Sequence, residues 1–238
     1  MFAIRLDGVC VGKRENTDDF ILKDITGQFE QGSMTAILGP NGAGKSTLIK
    51  TISGFLKPIQ GSITIADTLK NQLSLLPQLS EIDRSFPITV YDLVALGAWR
   101  RVGAFRGYSQ QEKEKIATAL EQVGLTAYAN QLIGTLSGGQ LQRALFARLI
   151  VRDPQVFLLD EPLTAIDEDT EEQLVQIMQG WYKAGRTVMA VLHDAALVQR
   201  VFPQTLLLAS EVVAWGETST VLQEENLQKA RRLVLRGF

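Results

Sequence analysis

The stretch MTAILGPNGAGKSTLI, residues 34–49, decides the fold. An apolar, β-prone run passes directly into a glycine-rich loop and from there into a helical pattern. Gly39-Pro40-Asn41-Gly42-Ala43-Gly44-Lys45-Ser46-Thr47 satisfies G-x-x-x-x-G-K-[ST] in the strand–loop–helix context that the motif requires. Gly39, Gly42 and Gly44 let the backbone turn tightly enough for successive N–H groups to converge on phosphate oxygens. The helix that follows adds its positive N-terminal end. Lys45 is placed to reach the β- and γ-phosphates, and the Ser46 hydroxyl to ligate Mg²⁺. The pattern predicts a site for a nucleoside triphosphate.

A second segment completes that site. VFLLDEP, residues 156–162, is an apolar strand ending in two carboxylates and a proline. Its run is unbroken rather than alternating, as expected of a strand buried on both faces of a parallel sheet, and TVMAVL at 187–192 reads the same way. Strand ends of this kind are where α/β folds hold ligands. Asp160 is a candidate to hold Mg²⁺, and Glu161 to accept a proton from an attacking water. His193, the only histidine, directly follows TVMAVL. From that strand end it is positioned to hydrogen-bond the γ-phosphate or the attacking water.

Around these motifs, short β-rich runs alternate with helical patterns, which predicts a mainly parallel sheet with crossover helices. Strands are expected at Phe2–Leu6, Ile25–Phe29, Met34–Leu38, Ile63–Ile65, Leu73–Leu76, Val156–Leu159, Val188–Leu192, Leu206–Leu208 and Val212–Ala214. The strand-rich opening predicts an antiparallel β lobe at the N-terminal end. From about Leu79 to Val151 the pattern turns helical, clearest at Asp92–Gly97 and Gln110–Val123, and reads as an insertion in the α/β core. Ser109 followed by Glu112 predicts a capping box, and Gly124 a C-terminal stop. The tail, with Lys229, Arg231, Arg232 and Arg236, reads as a solvated helical end.

Composition narrows the chemistry. The chain has 238 residues, 45% of them hydrophobic, enough for a substantial core. One Cys and one His exclude a disulfide framework and leave no set of Cys or His for a zinc or iron–sulfur centre. A formal net charge of −2 argues against a nucleic-acid binder that relies on a basic face. The first residues lack a basic start followed by an apolar stretch, and no apolar run approaches the roughly 20 residues needed to cross a bilayer. The expected place is the cytoplasm, with any membrane attachment made through a partner.

Residues 136–140, Leu-Ser-Gly-Gly-Gln, precede the helical LQRALFARLIV and by themselves form a serine-capped helix start able to meet an anion. Together with the glycine-rich loop and the Asp-Glu strand end, this segment resembles the signature of the ATP-binding cassette (ABC) ATPases, and the resemblance covers nearly the whole chain. It implies a P-loop core with an N-terminal antiparallel β lobe and a helical subdomain, together forming a single cassette over residues 1–238. It further implies that Gln78, after LSLLP, is the Q-loop glutamine, that Asp167 in TAID belongs to the D-loop, which more commonly begins with Ser, and that His193 is the switch histidine. In such cassettes two copies pack head to tail. Ser137, Gly138, Gly139 and Gln140 of one copy would cap the γ-phosphate held by Lys45 of the other, with Gln78 and Asp160 beside Mg²⁺. Hydrolysis through Glu161 and His193 then lets the pair open, and the motion passes to membrane subunits through the Gln78 region.

One departure concerns the base. The family's stacking aromatic has no counterpart in GVCVGKREN, residues 8–16, and Phe20, which comes later, is either a core residue or a substitute. SFPITVYDLVALGAWRR, residues 85–101, is similar to importers of divalent metals, zinc and manganese especially, and somewhat to the iron–siderophore group. That similarity implies permease subunits in the membrane and, indirectly, an extracytoplasmic solute-binding protein. Two other readings stand beside it: a single-cassette ATPase acting in assembly, and a nucleotide-gated binding module without turnover.

Overall fold

The computed structural model describes residues 1–12, 20–103 and 107–235; Lys13–Asn16 of GVCVGKREN and Arg236 of the tail lie outside them. Two compact units emerge, the first from Met1–Leu75, Gln155–Pro162 and Met178–Phe238, the second from Leu76–Pro154 and Leu163–Ile177.

The first unit carries two sheets. In the smaller, β1 (Phe2–Gly12) lies antiparallel between β2 (Phe20–Glu30) and β4 (Gln60–Ile65), the antiparallel lobe expected of the N-terminal end. The larger sheet also contains β3 (Met34–Leu38), β5 (Leu73–Leu76), β6 (Val156–Asp160), β7 (Thr187–Val191), β8 (Gln204–Leu208) and β9 (Val212–Glu217). Its order is β5-β6-β7-β3-β8-β9, with β6, β7, β3 and β8 parallel and β9 antiparallel at the edge. Every residue of β3, β6 and β7 is buried, which is why those strands read as unbroken apolar runs.

Register has a direct consequence for function. Val191 pairs with Ile37 on one side and Asp160 on the other, so the three strands end level. Gly39, Glu161 and His193 therefore leave the sheet at one edge, from adjacent strands. Helix α1 (Lys45–Ile52) returns over β6 and buries Leu48, Ile49 and Ile52 in a core shared with Ile4, Leu22, Phe29 and Leu158. Phe29 packs against Trp215 with ring centroids 4.6 Å apart, and Phe157 stacks on Trp181 at 3.9 Å.

Among the buried polar groups of this unit, Thr205 and Thr218 are linked oxygen to oxygen at 2.8 Å, and the Thr218 hydroxyl donates to the Phe202 carbonyl at 2.6 Å. Replacing Thr218 by valine keeps the shape but strands Thr205 and that carbonyl. Thr218→Val is therefore expected to cost about 1–3 kcal/mol of unfolding free energy in urea titration. A cost below about 0.5 kcal/mol, the size of an ordinary surface change, would show that the chain plays no part in stability.

The second unit is helical. Helices α2 (Val90–Ala95) and α4 (Gln110–Gln122) pack against α5 (Gly138–Arg152), and α3 (Trp99–Val102) follows α2 after a short 3₁₀ turn. α2 begins two residues before the expected Asp92 because Thr89 caps it, its hydroxyl accepting the Asp92 N–H at 3.1 Å. Only half of the capping box expected at α4 forms. Ser109 accepts the Glu112 N–H at 3.3 Å, but the Glu112 carboxylate is taken by Arg101 at 2.8 Å and Lys115 at 3.3 Å. The hydrogen bond from Arg101 holds that carboxyl below its ordinary range. Arg101 also donates to the Val151 and Arg152 carbonyls at the end of α5, so one guanidinium ties two helices. Gly124 stops α4 as expected: its N–H bonds the Glu121 carbonyl and the Leu125 N–H the Leu120 carbonyl, a Schellman closure.

The remaining helices are α6 (Glu168–Lys183), α7 (Ala195–Val201), α8 (Thr218–Val221) and α9 (Glu224–Leu235). Among the described residues, no helix is long and apolar enough to cross a membrane.

Candidate active site

The glycine-rich loop leaves β3 and enters α1 with Gly44 at the N-cap in the left-handed region, φ 89°. Two of its glycines are dictated by neighbours. A Cβ at Gly39 would lie 2.0 Å from the Leu208 carbonyl oxygen, and one at Gly44 2.4 Å from Leu22 Cδ2. Chain on both sides thus holds the loop close, and only residues without a side chain fit there. At Gly42 a Cβ would meet nothing within 4 Å, so that side of the loop is open.

Lys45 is only 5% exposed, and its ammonium donates to the Gly39 carbonyl at 2.8 Å and the Pro40 carbonyl at 3.0 Å. Burial pushes it below its ordinary value, against the opposing pull of Glu161 and Asp160. The ammonium therefore lies folded back on the loop, where a phosphate would offer it better acceptors than two neutral carbonyls.

Beside it the Ser46 hydroxyl donates to Asp160 Oδ1 at 2.8 Å. Asp160 is fully buried at the last position of β6. The pair offers a hydroxyl and a carboxylate, hard oxygen donors next to an open loop, and that donor set suits Mg²⁺. Among the described residues no group of three or more His, Cys, Asp or Glu gathers into a metal centre of its own.

One residue on, the backbone turns. Glu161 has φ 51°, in the left-handed region, and its Oε1 lies 2.8 Å from His193 Nε2. The next residue, Asp194, caps α7, its carboxylate accepting the Ala196 and Leu197 N–H groups at 2.8 and 3.2 Å. Lys45, Ser46, Asp160, Glu161 and His193 thus meet within the first unit.

The other candidates belong to the second unit. Gln78 precedes a 3₁₀ turn and accepts from the Ser80 hydroxyl at 3.4 Å. Ser137 caps α5 through a complete capping box: its hydroxyl accepts the Gln140 N–H at 3.2 Å, and its own N–H donates to Gln140 Oε1 at 2.9 Å. The sequence reading identified the serine cap but not the reciprocal bond from Gln140. A Cβ on Gly139 would lie 3.5 Å from Asp167 Oδ2, so the Asp167 carboxylate stands against the first turn of α5. Hydrogen bonds from the Thr170 N–H and hydroxyl, both 2.9 Å, hold Asp167 below its ordinary range. Thr170 carries no motif and was found only in three dimensions.

A family model described as ABC transporter matches residues 22–164. The manganese transport system ATP-binding protein MntB of Listeria monocytogenes is 38% identical over 213 residues, covering 88% of this chain and 89% of that one. The zinc transport system ATP-binding protein TroB of Treponema pallidum is 34% identical over 233 residues, covering 96% and 86%. An inward-facing structure described as a metal-chelate type ABC transporter aligns with a TM-score of 0.84 at 27% identity, covering 98% of this chain and 90% of that one. Identity at this level over almost the full length of both partners, on one fold, admits a single assignment: the chain belongs to the ABC transporter family and is an ATP-binding, ATP-hydrolysing cassette.

Proposed function

We propose that this chain powers the import of a divalent metal ion, manganese or zinc, through permease subunits in the cell membrane. The names of its relatives support that cargo. In this reading the cassette sits at the cytoplasmic face of the membrane, held there by the permease, and a solute-binding protein delivers the metal from outside. Residues 1–238 work as one cassette, with about 79–151 as its helical subdomain.

The observation that carries the catalytic part is the convergence of Lys45, the Ser46–Asp160 pair and the Glu161–His193 pair where three adjacent strands end. Gly39 through Thr47 wrap the phosphates with backbone N–H groups, and Lys45 exchanges its two carbonyl partners for phosphate oxygens. Ser46, Asp160 and Gln78 would hold Mg²⁺, which neutralises phosphate charge when bound. Glu161 takes the proton of the attacking water, and His193 steadies that carboxylate and reads the γ-phosphate. Ser137, Gly138, Gly139 and Gln140 of a second copy cap the same phosphate, so ATP favours a closed homodimer and hydrolysis releases it.

Permease docking is assigned to the 85–101 stretch. Phe86, Leu96 and Trp99 are exposed there at 61%, 41% and 51%, unusually apolar for a free surface. Arg152 lies within electrostatic reach of Arg100, Arg101 and Arg148, and burial together with Arg152 lowers the Arg148 guanidinium. Such a face suits a permease loop that brings apolar side chains and carboxylates.

Reconstitution with the permease in vesicles tests the proposal. ATP-dependent uptake of Mn²⁺ or Zn²⁺ is expected, and uptake should vanish with Glu161→Gln. ATP hydrolysis without uptake of either ion would overturn the cargo assignment.

A further inference from the structure

Ser210 lies in the turn between β8 and β9, outside every motif discussed above. Three observations join it to the phosphate loop. Its N–H donates to the Ala43 carbonyl at 3.0 Å, and its own carbonyl accepts the Lys23 N–H of β2 at 2.7 Å. Its φ is 59°, a left-handed conformation that a serine adopts only under constraint. Two residues earlier the same chain places the Leu208 carbonyl against Gly39. β2 closes the other side, with Leu22 over Gly44.

The direction of one peptide plane gives this contact its meaning. In a trans peptide the carbonyl of one residue and the N–H of the next point opposite ways, and no peptide in the described residues is cis. Drawing the Ala43 carbonyl outward to Ser210 therefore turns the Gly44 N–H inward, to the concave side of the loop. We infer that Ser210 is a positioning residue: its backbone N–H sets the orientation of the Gly44 amide that grips nucleotide phosphate. The loop is thus pre-aimed by a turn remote in sequence, so little reorganisation is left to binding. Ser210 never touches nucleotide and acts only through Ala43.

The inference rests on the nucleotide site proposed above, and the experiment separates the two. Replacing the Ser210 amide by an ester removes the N–H while keeping side chain and chain direction. The ester form is expected to raise KM for MgATP and Kd for MgADP roughly tenfold, with kcat within about twofold, because ground and transition states lose the same grip. The Gly44 amide resonance should lose most of its shift on adding MgADP. Ser210→Gly, which keeps the N–H and adopts positive φ freely, should bind like wild type, whereas Ser210→Val should resemble the ester. Wild-type MgADP affinity in the ester form, with an unchanged Gly44 resonance, would overturn the inference. If Lys45→Ala also bound MgADP normally, the nucleotide site itself would be misassigned. If Lys45→Ala lost binding while the ester did not, only the role of Ser210 would fall.

Discussion

Glu161→Gln should bind MgATP normally, hydrolyse it at least a hundredfold more slowly, and sediment as a dimer at saturating MgATP. The amide matches the carboxylate in size and can still hydrogen-bond His193, now 2.8 Å from Oε1. What it lacks is the ability to take a proton, and removal of a general base typically costs a factor of about 10²–10⁴. Because the ATP-loaded state is then long-lived, closed pairs joined through Ser137–Gln140 should accumulate. Phosphate release and sedimentation velocity read the two halves separately. Equal hydrolysis rates would remove Glu161 from the base position, and a monomer at saturating MgATP would count against a site shared between copies.

Gly39→Ala carries the second large expectation, and it concerns the fold as much as the site. The added methyl would sit 2.0 Å from the Leu208 carbonyl oxygen and 3.3 Å from the Ala43 methyl. The Leu208 carbonyl cannot swing away, since it is backbone and β3 and β8 are paired from Thr35 to Leu38. The loop must move off β8, with a loss of about 3 kcal/mol or more in urea unfolding. MgADP affinity should fall at least a hundredfold, because the amides no longer converge. Gly42→Ala is the control: nothing lies within 4 Å of its Cβ. Only its left-handed φ of 80° is strained, for about 1 kcal/mol. Equal stabilities of the two variants would show that the approach to Leu208 is not what fixes Gly39.

Elements whose cause is local were legible in the sequence. β3, β6 and β7 announced themselves because strands buried on both faces must be apolar throughout. Asp160, Glu161 and His193 were legible because they end or follow such a strand, and Lys45 and Ser46 because the glycine-rich motif after β3 marks them. β1 was read only to Leu6, short of Asp7-Gly8. In the fold it is an irregularity: pairing with β2 shifts between Leu6 and Val9, and the strand continues to Gly12. The half-formed capping box at α4 could not be foreseen, since it depends on Arg101 reaching Glu112 from another helix. Ser210 left no trace either, because its hold on the loop is made by backbone atoms that every residue but proline carries. Gln140 was read as a phosphate neighbour, yet here its side chain closes the cap on Ser137.

Selection for stability alone would not keep the left-handed backbone at Glu161. A side chain at φ 51° costs roughly 1–2 kcal/mol that glycine would not incur. Folding alone would therefore favour glycine at this position, and drift would carry the chain toward a sturdier, inert protein. The same twist separates two neighbouring carboxylates, sending Asp160 into the buried strand end while Glu161 stays beside His193. Strain at this one peptide is a standing tax on durability, and only the need to turn over ATP keeps it in place.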